Sequence, residues 1–153
     1  MSDRDCDLCS ACPSRRTFLT QVSGSLLAGM LAPVLADAAT PEQRYPIPAS
    51  DGATIDKKAQ VILVRDQQKV YAFNLACPHE NTALKWRDKD HRFQCPKHDS
   101  KYTPDGTFKE GRATRNMDRL AIRREGDQVV VDVNRLFRSD QQVKEYGDAF
   151  VQL

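Results

Sequence analysis

The chain is 153 residues long, with 29% charged and 40% hydrophobic residues. That is a one-domain length and an ordinary globular composition, which excludes a bundle of membrane helices. The 23 basic and 21 acidic residues leave a formal charge of +2, too balanced for a nucleic-acid-binding domain. Five Cys are too few for a disulfide scaffold and odd in number, so their spacing must decide what they do.

Near the N-terminus, Ser14-Arg15-Arg16-Thr17-Phe18-Leu19 resembles a twin-arginine export signal. A weakly apolar stretch follows, Val22 to Leu35, and Ala36-Asp37-Ala38 fits a small-x-small cleavage site. The stretch is shorter than the ~20 residues that span a bilayer. Residues 1–38 are therefore read as a signal peptide cleaved after Ala38, with a retained membrane anchor as the rival reading. Either way the protein is expected in the periplasm or on the outer face of the cytoplasmic membrane. The twin-arginine route exports folded proteins, as that resemblance implies, so the signal predicts a cofactor inserted before export. Cys6, Cys9 and Cys12 form C-x2-C-x2-C-P, part of a ferredoxin cluster run lacking its fourth Cys. They lie in the segment expected to be removed and are assigned no role in the mature protein.

Residues 39–58 hold Pro41, Pro46, Pro48 and Gly52 and read as an extended lead-in. Residues 59–138 are strand-like. Val61-Ile62-Leu63-Val64 and Val70-Tyr71-Ala72-Phe73 flank a polar turn, and Leu120-Ala121-Ile122 and Val129 to Val133 flank Glu125-Gly126-Asp127. These patterns predict two hairpins, one at each end of a turn-rich central segment, 74–116, that holds all three His. In the tail, 139–153, Val143, Tyr146, Phe150 and Leu153 recur at helical spacing, and Ser139 with Gln142 suggests a capping box. One short C-terminal helix is expected there, weakened by Gly147.

The chemistry lies in the central segment. Cys77-Pro78-His79 and Cys95-Pro96-Lys97-His98 give C-x-H, fifteen residues, then C-x2-H. Two Cys and two His can hold zinc tetrahedrally, as a zinc-binding interaction module would, but zinc motifs more often keep like ligands together. Here each short loop offers one thiolate and one imidazole, which suits a site with two chemically different metal ions. The pattern resembles the Rieske iron–sulfur family. That resemblance implies an all-β fold: a Rieske-type antiparallel β domain with a small cluster-binding subdomain of two loops, here followed by the short helix. It also implies one 2Fe–2S cluster, with Cys77 and Cys95 on one iron and His79 and His98 on the other. His91 lies outside both motifs and reads as a surface loop residue.

Ser100 and Tyr102 stand where high-potential Rieske proteins of quinol–cytochrome c reductase type carry a Ser and a Tyr. There the hydroxyls donate to a bridging sulfide and to a cysteine sulfur, which raises the potential. The quinol-oxidising pattern also has a further Cys in each loop and often a Leu after the first His. Here Thr82, Lys97 and Glu80 stand at those places, and Gly111-Arg112-Ala113 replaces a later Gly-Pro segment. The resemblance thus implies one-electron transfer between a quinol or dehydrogenase donor and a cytochrome-type acceptor. The partner expected is a redox protein, a cytochrome c or an oxidoreductase subunit, with quinol as a further candidate. An uncleaved anchor would instead favour the iron–sulfur subunit of a membrane quinol–cytochrome c reductase or a molybdenum oxidase. An electron-transfer protein or subunit is expected rather than a stand-alone enzyme. Lys97, Lys101, Arg112 and Arg115 suggest a basic rim that could steer an acidic partner.

Overall fold

Val61, Ile62, Leu63 and Val64 are all buried, and so are Val70, Tyr71, Ala72 and Phe73. In a strand, neighbouring side chains point to opposite faces, so two such runs require a sheet covered on both sides. The computed structural model describes residues 42–153 and meets that requirement. Its strands in chain order are β1 (Glu42–Pro46), β2 (Gly52–Asp56), β3 (Val61–Asp66), β4 (Lys69–Asn74), β5 (Lys85–Arg87), β6 (Arg92–Gln94), β7 (Lys101–Tyr102), β8 (Phe108–Glu110), β9 (Arg119–Glu125) and β10 (Gln128–Phe137). A short helix, α1 (Val143–Asp148), and β11 (Val151–Gln152) complete the chain. The larger sheet is antiparallel in the order β1-β10-β9-β4-β3-β2, with β11 also on β4; a second antiparallel sheet runs β5-β6-β7-β8.

The alternation sorts the core into two clusters. Ile62, Val64, Tyr71 and Phe73 face Leu84, Phe93, Tyr102, Met117 and both buried Cys. Val61, Leu63, Val70 and Ala72 turn the other way, onto Leu120, Val129, Val131 and Val151. The first cluster joins the larger sheet to the small one: the Phe73 and Phe93 rings meet nearly edge-on, centroids 6.2 Å apart. Both expected hairpins are present, and Gly126 takes the positive φ of 63° that the β9–β10 turn demands.

Two segments differ from the sequence reading. The stretch 39–58 contributes two strands: β1 pairs with β10, Glu42 opposite Asp132, and β2 pairs with β3, Ala53 opposite Val64. Both are edge strands of five residues, and Pro46 closes β1, the kind of edge position proline tolerates. The tail holds the expected short helix, but the helix stops at Asp148. The helix spans six residues, and Val143 is 71% exposed rather than packed. Beyond it the chain extends into β11, Val151 opposite Val70, and the Leu153 amide donates to the Gln68 carbonyl. Ser139 makes no cap; the Gln142 side chain instead accepts from the Arg138 amide. The twin-arginine motif, the Ala36-Asp37-Ala38 site and Cys6, Cys9 and Cys12 lie outside the described residues. No described helix is long and apolar enough to cross a membrane.

Arg119 holds the tail to both sheets. It is 7% exposed, with its guanidinium 4.6 Å from the Tyr71 ring centroid and 4.3 Å from that of Tyr146. It donates to the carbonyls of Tyr146 (2.8 Å) and Asp105 (3.0 Å). A buried cation needs such partners, and Arg119→Ala would orphan the Asp105 carbonyl, leave that of Tyr146 only its 3.4 Å bond from the Ala149 amide, and empty the slot between the rings. A loss of about 3 kcal/mol in urea-unfolding free energy is expected from the charged hydrogen bonds and cation–π contacts together. An unchanged midpoint would mean that these contacts do not hold the tail.

Candidate metal centre

Two loops carry the candidate ligands, and their backbones close in the same way. In the loop after β4, the Cys77 amide donates to the Thr82 carbonyl and the Asn81 amide to the Cys77 carbonyl, each at 2.9 Å. Between β6 and β7, the Cys95 amide donates to the Ser100 carbonyl (2.8 Å) and the Asp99 amide to the Cys95 carbonyl (3.0 Å). Each ring needs a left-handed residue four positions after its Cys. Asn81 (φ 53°) and Asp99 (φ 57°) supply it, and Asn and Asp are residue types that tolerate this region. The repeated Cys-x3-Asn/Asp spacing was the overlooked sequence signal for this geometry.

The side chains divide by depth. Cys77 and Cys95 are 0% and 1% exposed. The His79 and His98 side chains stay 26% and 15% exposed. Their rings meet nearly perpendicular with centroids 4.7 Å apart, and their Nδ1 atoms approach to 3.1 Å. Two nitrogens held at ~2.1 Å by one tetrahedral metal would lie ~3.4 Å apart, so the pair is already near that spacing. Burial pushes the Cys77 thiol up, opposed by a 3.3 Å contact with the Tyr102 hydroxyl and reinforced by the nearby Cys95. A thiolate in that position calls for a compensating cation, which a metal supplies. The donor set therefore fits a binuclear group with two deep sulfur ligands and two outer nitrogen ligands.

Around these donors the hydroxyls have distinct tasks. Tyr102 is fully buried, and burial raises its hydroxyl so far that it remains a donor towards Cys77. Ser100 Oγ, also fully buried, accepts from the Arg112 amide (3.1 Å) and the Ala113 amide (3.0 Å). It thereby ties a third loop to the second ligand loop, a role the sequence reading did not include, while its own proton stays available to donate. Gly111, at φ 113°, lies against this joint: a Cβ there would stand 2.8 Å from Ser100 N and 2.9 Å from Asp99 O.

The expected basic rim is mostly paired. Lys97 bonds Glu80 (2.6 Å), Lys101 bonds Glu110 (2.6 Å), and Arg115 bonds Asp118. Of the four, only Arg112 lacks an ion-pair partner among the described residues. His91 is exposed, closes the turn at Asp88–Asp90 with φ 43°, and rests edge-on to Trp86 at 6.1 Å. That placement matches the surface-loop reading.

A family model for the Rieske [2Fe-2S] domain matches residues 43–142. The chain belongs to the Rieske family. The match takes in most of β1 and all of β2. As a Rieske domain it binds a 2Fe–2S cluster and takes part in iron–sulfur electron transfer. Among solved structures, the chain is similar to the cyanobacterial plasma membrane Rieske protein PetC3 from Synechocystis PCC 6803. That match has 23% identity and a TM-score of 0.44, and covers 52% of this chain and 82% of that one. It is also similar to the ferredoxin of carbazole 1,9a-dioxygenase from Nocardioides aromaticivorans IC177, at 19% identity and a TM-score of 0.40, covering 56% and 86%. No curated protein matches the chain.

Proposed function

We propose that Cys77 and Cys95 bind one iron of the Rieske cluster and His79 and His98 the other. We further propose that the protein carries single electrons outside the cytoplasmic membrane. Its donor would be a quinol or a dehydrogenase and its acceptor a cytochrome-type protein. The observation that carries the ligand assignment is the pairing of two buried thiols with two outer imidazoles on loops of matching backbone geometry. The twin-arginine motif supports the compartment.

When bound, such a cluster takes up and releases one electron, at a potential of about −150 to +300 mV across the family. The chain's own residues set the terms of that exchange. Burial of Cys77 and Cys95 excludes water from the sulfurs. Exposure of His79 and His98 gives a partner an approach on the imidazole side. The Tyr102 hydroxyl reaches Cys77 Sγ and stabilises added negative charge there.

Two variants test these hydroxyls. Tyr102→Phe and Ser100→Ala should each lower the reduction potential with the cluster retained. A lost interaction of about 1.4 kcal/mol corresponds to roughly 60 mV for one electron. Ser100→Ala should also lower stability by about 1–3 kcal/mol, because one buried amide, of Ala113, and one part-buried amide, of Arg112, lose their acceptor. Redox titration followed by visible absorption, with thermal unfolding alongside, reads both effects. Unchanged potentials in both variants would separate the hydroxyls from the redox centre.

The carrier role is tested by mixing the chemically reduced protein with an oxidised c-type cytochrome. One electron per chain should pass as the oxidised spectrum returns. Fractionation of the host cell with N-terminal sequencing should find the chain outside the cytoplasmic membrane, beginning at Ala39. No transfer, together with a cytoplasmic chain, would overturn the proposal.

A further inference from the structure

The ligand loops carry no disulfide, since Cys77 and Cys95 are both free. Something else joins them. Glu80, next to His79 on the first loop, accepts a 2.6 Å hydrogen bond from Nζ of Lys97, next to His98 on the second. The same carboxylate reaches the outer edge of both imidazoles: Glu80 Oε1 is 4.0 Å from His79 Nε2, and Oε2 is 3.7 Å from His98 Nε2. The inner edges, the Nδ1 atoms, are turned to one another. Paired with the Lys97 ammonium, the carboxylate presents its negative charge to both rings.

We infer that Glu80 and Lys97 form an ionic clasp that links the two ligand loops, positions both imidazoles from outside and lowers the reduction potential of the centre. This rests on the assignment of His79 and His98 as ligands. The placement gives the clasp two effects. As a brace, it ties together the chain segments that carry the two imidazoles. An exposed ion pair is ordinarily weak; this one acts where two loops must keep a shared geometry for one group. As a charge, the carboxylate is the nearest anion to both outer nitrogens. It favours the oxidised centre, which carries one electron fewer, and Lys97 offsets part of that bias. The carboxylate also stands at the Nε2 edge, which a small hydroxylic donor would have to reach to give its O–H to the imidazole nitrogen. Of the two donors proposed above, the clasp therefore favours a docked dehydrogenase over a quinol.

The holoprotein with Glu80→Gln, Lys97→Gln and the double substitution decides the matter through two readouts at fixed pH. In the first, redox titration, Glu80→Gln should raise the potential and Lys97→Gln should lower it, because charges of opposite sign are removed. A tenfold change in the oxidised-to-reduced ratio corresponds to about 59 mV. In the second, loss of the visible spectrum under excess chelator, each single variant should release its cluster several-fold faster than wild type. The double variant should be no faster than the worse single one, since each partner acts through the other. Lys97→Arg should restore both values. Shifts of the same sign in both singles, or fully additive release rates, would overturn the clasp. So would unchanged potentials with unchanged release. Should Glu80→Gln lose its cluster during purification, the Lys97→Gln potential and release rate carry the test alone. A wild-type protein without a 2Fe–2S spectrum would instead sink the ligand assignment, a distinguishable failure.

Discussion

His79→Ala and His98→Ala are each expected to give a folded protein whose iron content and visible absorption fall to background. Each change removes one nitrogen donor, and the nearest spare ligand, the Glu80 carboxylate, is already tied to Lys97. The fold itself should survive, because neither imidazole belongs to either apolar cluster and both stay partly exposed. The unfolding free energy of the apoprotein should therefore move by less than about 1 kcal/mol, as for surface substitutions in general. That separates a ligand from a structural residue: the cluster disappears while the β domain remains. A variant with normal iron and an unchanged EPR spectrum would show that the replaced imidazole is no ligand.

Gly111→Ala is expected to cost about 2–5 kcal/mol and to lower cluster loading severely, although residue 111 is no ligand. Its φ of 113° lies where side chains are strained, and the new Cβ would press on the Ser100 amide nitrogen and the Asp99 carbonyl, both backbone atoms. Strain of this kind costs about 1–3 kcal/mol, and forced overpacking a similar amount. Backbone cannot rotate aside as a side chain can, so the third loop must retreat. Its retreat would break the bonds from the Arg112 and Ala113 amides to Ser100 Oγ. The damage then falls on the loop that carries Cys95 and His98. Iron per chain and thermal unfolding of the same preparation check this; full loading with an unchanged melting temperature would show that the loops do not meet as closely as described.

Different parts of this account were legible in the sequence for different reasons. The ligand set was legible because metal chemistry restricts residue type and spacing, and C-x-H with C-x2-H has few other uses. β3 and β4 were legible because a strand buried on both faces becomes an unbroken apolar run. β1 and β2 were not: each is five residues long, half-buried and at a sheet edge, in a stretch punctuated by Pro41, Pro46, Pro48 and Gly52. Their pairing partners, not their composition, make them strands. In the tail, Tyr146, Phe150 and Leu153 fit a helical period, but Val151 has a partner in Val70 on β4. That ladder wins over local propensity in a segment where Gly147 already weakens the helix. Glu80 and Lys97 stand 17 residues apart and meet only because Asn81 and Asp99 turn their two loops alike. No linear pattern announces such a contact.

The central claim is that two imidazoles and two thiols hold one 2Fe–2S cluster. Pulsed EPR of the reduced protein, grown with 15N-histidine, tests it most directly. The account predicts two histidine nitrogens coupled to the electron spin, from His79 and His98, and two irons per chain. A reduced 2Fe–2S signal with no histidine coupling, or a chain that purifies with zinc and no iron, would contradict it.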